Sequence, residues 1–332
     1  MSSGRYFARR GIMYPEIHYK TESKEPRTVT IFGCYGDSPE VFLPDTIDGL
    51  SVTRIADYGF AQADEEEDMS VFLPDKDQDK GVRERLCSGR VEEIHLPEEL
   101  CEVGRYAFYR CFRLKRLSFT DSLISIGGGA FTGCQLSNVE IRCRKSRQTC
   151  LRQILEEQRF ELAVHISYEE QGKIETASLI FPEHYEEAVE NTPARIVETH
   201  YHGSGGDYRQ CVYHKEIDYE EYDALFVKAK AREDVSTLIR IALSRLQEPY
   251  RLTRQAEEEY ADFLKSCAGE TAGFLLESDD METVRFLLDQ KIWEGEALET
   301  ALTVAEKKEH AEASALLLQA GRRQSGKKTF DL

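Results

Sequence analysis

Short alternating apolar pairs recur along the first half of the chain at a nearly fixed interval. In each pair two apolar residues flank one position, so both side chains face the same side of a β-strand. Leu73 to Leu96 spans 23 residues, Leu96 to Phe119 spans 23, and Phe119 to Ile141 spans 22. The pairs are Val41/Leu43, Val71/Leu73, Ile94/Leu96, Leu117/Phe119 and Val139/Ile141. This period predicts a solenoid, in which each unit buries its apolar face only against its neighbours.

A second motif follows the apolar pairs and supplies one phenylalanine to each unit. It combines an inward aliphatic residue, a small or glycine-rich bend and a phenylalanine. The three copies hold Ile55 and Phe60, Val103 and Phe108, and Ile126 and Phe131. Cys111 and Cys134 each follow their phenylalanine by three residues, as small buried residues would. We therefore expect one aromatic ring per turn along the axis of the solenoid.

These motifs resemble the BspA-like class of leucine-rich repeats, in which a Leu-Pro strand end is followed by an Ala-Phe pair and a cysteine. The resemblance covers about residues 29–141 and is most specific in the units Leu100–Cys111 and Leu123–Cys134. Residues 76–90 depart from the pattern, so one turn is expected to be degenerate. The resemblance implies a repeat scaffold that binds proteins, and it leaves a surface adhesin as an alternative because many such proteins are cell-surface antigens.

After Arg142 the strand spacing stops and helical spacing begins. Cys150, Leu151, Ile154 and Leu155 predict a helix within residues 146–160 that caps the repeat stack, followed by a short strand over 162–166. A basic cluster precedes and overlaps this helix. It consists of Arg142, Arg144, Lys145, Arg147 and Arg152. We interpret the cluster as the start of the capping helix, with a phosphate or RNA contact as the alternative.

The residues from 219 to 321 show helical spacing throughout. Thr283–Gln290 and Ala313–Ala320 align with Leu287 opposite Leu317, 30 residues apart. Residues 297–321 are similar to an ankyrin repeat, although the Thr-Pro-Leu-His start is missing. A generic helical bundle is the alternative.

The predicted fold class is α+β: an N-terminal leucine-rich-repeat solenoid followed by an all-helical, ankyrin-like repeat region. The expected parts are an N-terminal segment (1–28), the solenoid with its cap (29–168), a mixed connection (169–218), the helical domain (219–321) and a disordered tail (322–332).

Composition narrows the classes of partner and compartment. The 332-residue chain has a net charge of −18, and nucleic-acid binding requires a basic field, so we expect no nucleic-acid partner. Residues 1–20 contain no apolar run of the length that a signal peptide needs, and we find no apolar stretch long enough to span a membrane. Nine cysteines, an odd count, fit a reduced protein without structural disulfides. We expect a cytoplasmic protein without a membrane partner or a cofactor, in an oligomeric state that the sequence leaves open.

The predicted partner-binding residues lie between the inward residues of the strands, where side chains point outward. They are Phe42, Phe72, His95, Arg116, Ser118 and Glu140, with Glu40 and Glu93 beside them. Phe42 and Phe72 are expected to lie side by side as an exposed apolar patch, which is typical of a binding site. The alternative is that the cap or an N-terminal strand covers both rings.

The segment 177–223 carries the remaining candidate chemistry. Gly203, Ser204, Gly205 and Gly206, with Arg209 close by, form a candidate anion-binding loop, although we favour a plain flexible connection. His200, His202, Cys211 and His214 could in principle hold zinc, but no second cysteine pair accompanies them and we predict no metal site. No nucleophile with a base is evident, so we predict no enzyme. The alternative is an enzyme or ligand-binding protein with His202 and Asp207 in its site.

Overall fold

A computed structural model describes residues 14–23, 25–63, 68–73, 83–191, 196–213 and 215–327. The chain divides into two compact units, each described by itself below. The first comprises residues 1–176, 183–185 and 209–217, and the second comprises 177–182, 186–208 and 218–332.

The strands lie mainly in the first half of the chain. In chain order they are β1 (Glu16–Thr21), β2 (Val29–Tyr35), β3 (Glu40–Phe42), β4 (Thr46–Ile47), β5 (Leu50–Ile55), β6 (Ser70–Phe72), β7 (Glu93–His95), β8 (Glu102–Val103), β9 (Arg116–Thr120), β10 (Ser125–Ile126), β11 (Asn138–Cys143), β12 (Leu162–Glu170), β13 (Lys173–Phe181), β14 (Tyr185–Asn191), β15 (Ile196–His202), β16 (Val212–Tyr213) and β17 (Glu216–Ile217).

The helices follow from residue 151 onward. They are α1 (Leu151–Glu157), α2 (Gly205–Gln210), α3 (Tyr219–Ala224), α4 (Phe226–Ala229), α5 (Val235–Gln247), α6 (Arg254–Ser266), α7 (Ala268–Glu277), α8 (Met281–Asp289), α9 (Glu296–Lys307) and α10 (Ala311–Lys327). No helix in the described ranges is long and apolar enough to cross a membrane.

Two sheets form the solenoid. The front sheet has the order β13-β12-β11-β9-β7-β3, and its strands from β3 to β12 run parallel. The back sheet has the order β10-β8-β5-β2-β1-β6, with β4 paired to β5. The helices follow the solenoid in the chain, so the predicted α+β class is confirmed.

The phenylalanines predicted for the axis are fully buried and stack on one another. The ring centroids of Phe60 and Phe108 are 5.0 Å apart, and those of Phe108 and Phe131 are 5.3 Å apart. The Cys111 thiol donates to the carbonyl of Phe60 at 3.2 Å, and the Cys134 thiol donates to that of Phe108 at 3.1 Å. Each turn is thereby tied to the preceding one, and the prediction of one ring per turn is confirmed.

The pair Val71/Leu73 does not belong to the repeat, which corrects the prediction. Both side chains are 48% exposed. Strand β6 pairs antiparallel with β1 in the back sheet, whereas β3 pairs directly with β7 in the front sheet. Strand β6 lies at the edge of its sheet. An edge strand can show the same two-residue alternation of apolar residues without burying them. The 23-residue interval that starts at Leu73 is therefore coincidental.

The cap ends the stack with polar side chains as well as apolar ones. Leu151, Ile154 and Leu155 of α1 are buried, as predicted. The Glu157 carboxylate accepts hydrogen bonds from the backbone amides of Gly129 and Phe131, at 2.7 Å each. The cap therefore provides acceptors for backbone amides in the last Phe-containing turn.

Of the basic cluster only Arg152 lies in the capping helix, because α1 starts at Leu151. The members of the cluster pair with carboxylates. Arg142 and Arg144 contact Glu98, Lys145 contacts Glu99, Arg147 contacts Glu170, and Arg152 contacts Glu156. These ion pairs occupy the charges that the phosphate or RNA alternative would require.

A buried ion pair joins helices α3 and α5 of the second unit. The Arg245 guanidinium is fully buried and donates to the two carboxylate oxygens of Asp223 at 2.7 and 3.0 Å. The Tyr260 hydroxyl donates to the same carboxylate at 2.9 Å. Leu287 and Leu317, the aligned residues of the predicted repeat, are both buried. The helical content supports the ankyrin-like resemblance only loosely.

The predicted disordered tail is partly helical. Helix α10 continues to Lys327, so residues 322–327 extend a helix rather than a loop. Residues 328–332 lie outside the described residues.

Candidate functional site

The outward side of the front sheet brings five side chains into one row. Phe42 of β3 is aligned with His95 of β7, which is aligned with Ser118 of β9. The row continues through Glu140 of β11 to His165 of β12. Because side chains alternate along a strand, all five lie opposite the buried aliphatic residues of the same strands. We call Phe42, His95, Ser118, Glu140 and His165 the outer row.

A charged row runs beside the outer row, two residues earlier in each strand. It aligns Glu40, Glu93 and Arg116 on three neighbouring strands. The Arg116 guanidinium pairs with Glu93 Oε2, and its Nε donates at 2.5 Å. Glu93 is nearly buried although Arg116 is exposed, so the pair reaches from the sheet to the surface.

His95 connects the two rows. Its ring stacks parallel on Phe42 with 4.1 Å between the ring centroids. Nδ1 lies 2.7 Å from the Ser118 hydroxyl oxygen. Nε2 lies 3.0 Å from Glu93 Oε1 and 3.7 Å from Glu40 Oε1. Although His95 lies on the outward side of the sheet, only 8% of it is exposed, because these neighbours surround it.

Three titratable groups of this face have pKa values shifted from their usual ones, in different directions and for different reasons. Burial alone would raise the pKa of Glu93, but contacts with His95 and Arg116 outweigh it and hold the pKa below its usual value. Burial raises the pKa of Glu140 and lowers that of His165. On this face the neighbouring side chains therefore stabilise the ionised form of Glu93, whereas burial disfavours the ionised form of Glu140.

The structure brings together most of the predicted partner-binding residues. Phe42, His95, Ser118 and Glu140 lie in the outer row, and Arg116 lies in the charged row beside it. The prediction did not include His165, the fifth member of the outer row. The alternation of residues 162–166 was the signal that could have added it, because it continues the front-sheet pattern by one strand.

The predicted apolar patch of Phe42 and Phe72 is wrong. Phe72 lies on β6 and is aligned with Ile17 of β1 in the back sheet, while Phe42 lies in the front sheet. The neighbour of Phe42 is the His95 ring. The face therefore combines an aromatic pair with acidic and basic groups, rather than forming an apolar patch.

The candidate anion loop binds a carboxylate of its own chain. Helix α2 begins at Gly205, and the Ser204 backbone amide and hydroxyl both donate to Glu233 Oε1, the hydroxyl at 2.6 Å. The guanidinium of Arg209 donates to the backbone carbonyls of Gln158 and Phe160, at 3.1 and 3.2 Å. Arg209 thus does not serve the loop, and an external anion would have to displace Glu233.

The other candidate ligands of segment 177–223 do not form a described site. The side chains of His200 and His202 and the whole of His214 lie outside the described residues. Cys211 is buried, and none of the nine cysteines, which all lie in the described ranges, forms a disulfide. Asp207 contacts Lys228 and Arg232. In the described part of the chain, the one group of three His, Cys, Asp or Glu side chains within metal-binding distance is Glu40, Glu93 and His95.

When the chain is compared with known proteins, only its repeat region gives a match. No curated protein and no solved structure matches the chain significantly. Residues 85–176 match the model of the BspA type leucine rich repeat region (6 copies). This family is generally non-enzymatic and typically mediates protein–protein interaction or adhesion. The part of the chain that carries β7 to β12 is therefore similar to BspA-type leucine-rich repeats.

Proposed function

We propose that this chain is a non-catalytic protein-binding scaffold whose contact surface is the outward side of the front sheet. The observation that carries the proposal is the outer row with its charged neighbours. Five parallel strands present five side chains of four different kinds in register there, while the inward residues of the same strands are uniformly apolar. Stacking of the repeats requires only the inward residues, so the outward composition is available for recognition.

The chemistry of this face favours a partner segment that carries a basic side chain. Glu140 is half-buried, and its raised pKa shows that the ionised carboxylate lacks sufficient stabilisation. A lysine or arginine from a partner would supply the missing charge. Further along the same row, the Phe42 ring, stacked on the nearly buried His95, offers an aromatic surface of the kind that is enriched at the centres of interfaces.

The proposal is tested by capturing partners with the full-length protein and two charge-reversal variants. Arg116→Glu changes the proposed surface, whereas Lys173→Glu makes the same charge change at an exposed residue outside the outer and charged rows. We expect Arg116→Glu to weaken capture of a specific partner by on the order of tenfold. Lys173→Glu should leave capture unchanged.

Urea unfolding of both variants separates loss of binding from loss of folding. Arg116→Glu removes the partner of the nearly buried Glu93 and places a second carboxylate beside it, so we expect it to lower the free energy of unfolding by about 1–3 kcal/mol. Equal capture by the wild type and both variants would contradict the proposed surface.

A further inference from the structure

We propose that Glu40, Glu93 and His95 form a binding site for a divalent transition-metal ion on the outward side of the front sheet. The donors are the carboxylates of Glu40 and Glu93 and the imidazole of His95, and one ligand atom of each lies within 4.8 Å of the other two. They come from the adjacent parallel strands β3 and β7, whose register fixes their spacing. The proposal stands independently of the proposed protein partner, because the site can be measured on the chain alone.

The state of His95 Nε2 is the observation that points to a cation. This nitrogen is buried and has no hydrogen-bond partner in acceptable geometry among the described residues, although two carboxylates approach it. With the ring proton on Nδ1, where the Ser118 hydroxyl oxygen lies at 2.7 Å and can accept it, Nε2 offers its lone pair to a metal ion. An ion placed between Nε2 and the two carboxylates would take the place of a proton on Nε2 and would be coordinated by all three groups.

The two distances from His95 to the carboxylates fit a single ion. Ligand atoms that lie about 2.1 Å from an ion, with angles of 90–120° between them, are separated by about 3.0–3.7 Å. The Nε2 atom lies 3.0 Å from Glu93 Oε1 and 3.7 Å from Glu40 Oε1. The hydrogen bond from Nδ1 to Ser118 is the kind of contact that orients metal-binding histidines from behind.

The surrounding charge also favours a dication. Arg116 occupies the other oxygen of Glu93 and leaves Oε1 directed at His95. Glu140 lies in the outer row, two strands away from His95. Three carboxylates and one guanidinium leave two negative charges in excess around a neutral imidazole. One divalent cation would balance them.

The donor set selects the class of metal. One imidazole nitrogen with two carboxylate oxygens suits Zn²⁺, Co²⁺ or Mn²⁺, whereas Mg²⁺ and Ca²⁺ prefer oxygen alone. Three protein ligands leave at least one coordination position open. Glu40 is only partly buried, so an ion can enter from its side of the site.

The test is calorimetric titration of the metal-stripped full-length protein with ZnCl₂ in a non-thiol reductant, with MgCl₂ in parallel. We expect the wild type to bind one more equivalent of Zn²⁺ than Glu40→Gln or His95→Ala, and no Mg²⁺ at this site. Ser118→Ala should keep the stoichiometry and weaken the affinity by about 10–100-fold. The double variant His200→Ala/His202→Ala is the control, and it should retain the equivalent that Glu40→Gln loses.

Two results would overturn the site. In one, the folded Glu40→Gln and His95→Ala variants bind Zn²⁺ with the wild-type stoichiometry and affinity. In the other, the wild type binds no Zn²⁺, which would show that His95 is protonated and pairs with the two carboxylates instead. If His95→Ala does not fold, the result for Glu40→Gln tests the site alone. Glu40 is more exposed than His95 and contributes less to packing, so we expect Glu40→Gln to fold.

Discussion

The two sides of the front sheet differ in composition, although their residues alternate along the same strands. The inward side is aliphatic in every turn, with Val41, Ile94, Leu117, Val139 and Val164 in equivalent positions. The outward side changes from Phe to His, Ser, Glu and His across the same five strands. Stacking imposes one chemistry on the inward side and none on the outward side. The comparison teaches that the fold of this chain depends on one side and its recognition chemistry on the other.

Removal of an axial ring should have the largest effect on stability. We expect Phe108→Ala to lower the free energy of unfolding by about 3–5 kcal/mol, because the ring is fully buried and stacks on Phe60 and Phe131. Phe112→Ala is the matched control, since that ring is 53% exposed, and it should cost less than about 1 kcal/mol. Equilibrium urea unfolding measures both. Similar losses would mean that the axis does not carry the fold.

A smaller loss should follow from separating two neighbouring turns. A Cβ at Gly127 would lie 2.5 Å from the backbone nitrogen of Arg105, so Gly127→Ala forces the turns apart. We expect it to cost about 1–3 kcal/mol in urea unfolding. At Gly128 no atom lies within 4 Å of the same position, and Gly128→Ala should be nearly neutral. A neutral Gly127→Ala would show that the turns are not in close contact.

The smallest effects should come from the outward carboxylates, and they should have opposite signs. The pKa of Glu93 is lowered in the folded protein, so its ionised form stabilises the fold above its unfolded pKa and this contribution is lost as the pH falls. The pKa of Glu140 is raised, so its ionisation destabilises the fold as the pH rises through the folded pKa. At pH 7, Glu93→Gln should therefore lower stability and Glu140→Gln should raise it.

Urea unfolding at pH 7 and at pH 4 checks this pair of substitutions. Both differences from the wild type should shrink at pH 4, where part of each carboxylate population is protonated in the unfolded chain. Shifts of the same sign at pH 7 would contradict the assigned environments of Glu93 and Glu140.

The sequence predicted the parts of the fold that depend on local spacing. The phenylalanine motif identified the stacked rings, and the spacing of Leu151, Ile154 and Leu155 identified the capping helix. It misplaced Val71 and Leu73, because an edge strand and a repeat strand share the same period of two. Only the long-range pairing of β6 with β1 separates them, and such pairing leaves no local signal.

The sequence could predict that the site residues share one side of the sheet, but not which of them are in contact. Alternation placed His95, Ser118 and Glu140 on one side of the sheet. The contact of His95 with Glu40 requires β3 and β7 to be neighbours, although 53 residues separate Leu43 from Leu96. The insertion between these strands hid their adjacency. The partner of Ser204, Glu233, is hidden for the same reason, since nothing near the glycine loop indicates it.

The most direct test of the division between the two sides is a charge-swapped variant, Arg116→Glu/Glu140→Lys, which keeps the net charge of the chain. Partner capture per folded molecule and the free energy of unfolding would be measured on the same preparation. We predict that capture falls by at least on the order of tenfold, while the free energy of unfolding falls by less than that of Phe108→Ala. Unchanged capture, or a loss of stability as large as that of Phe108→Ala, would contradict the account.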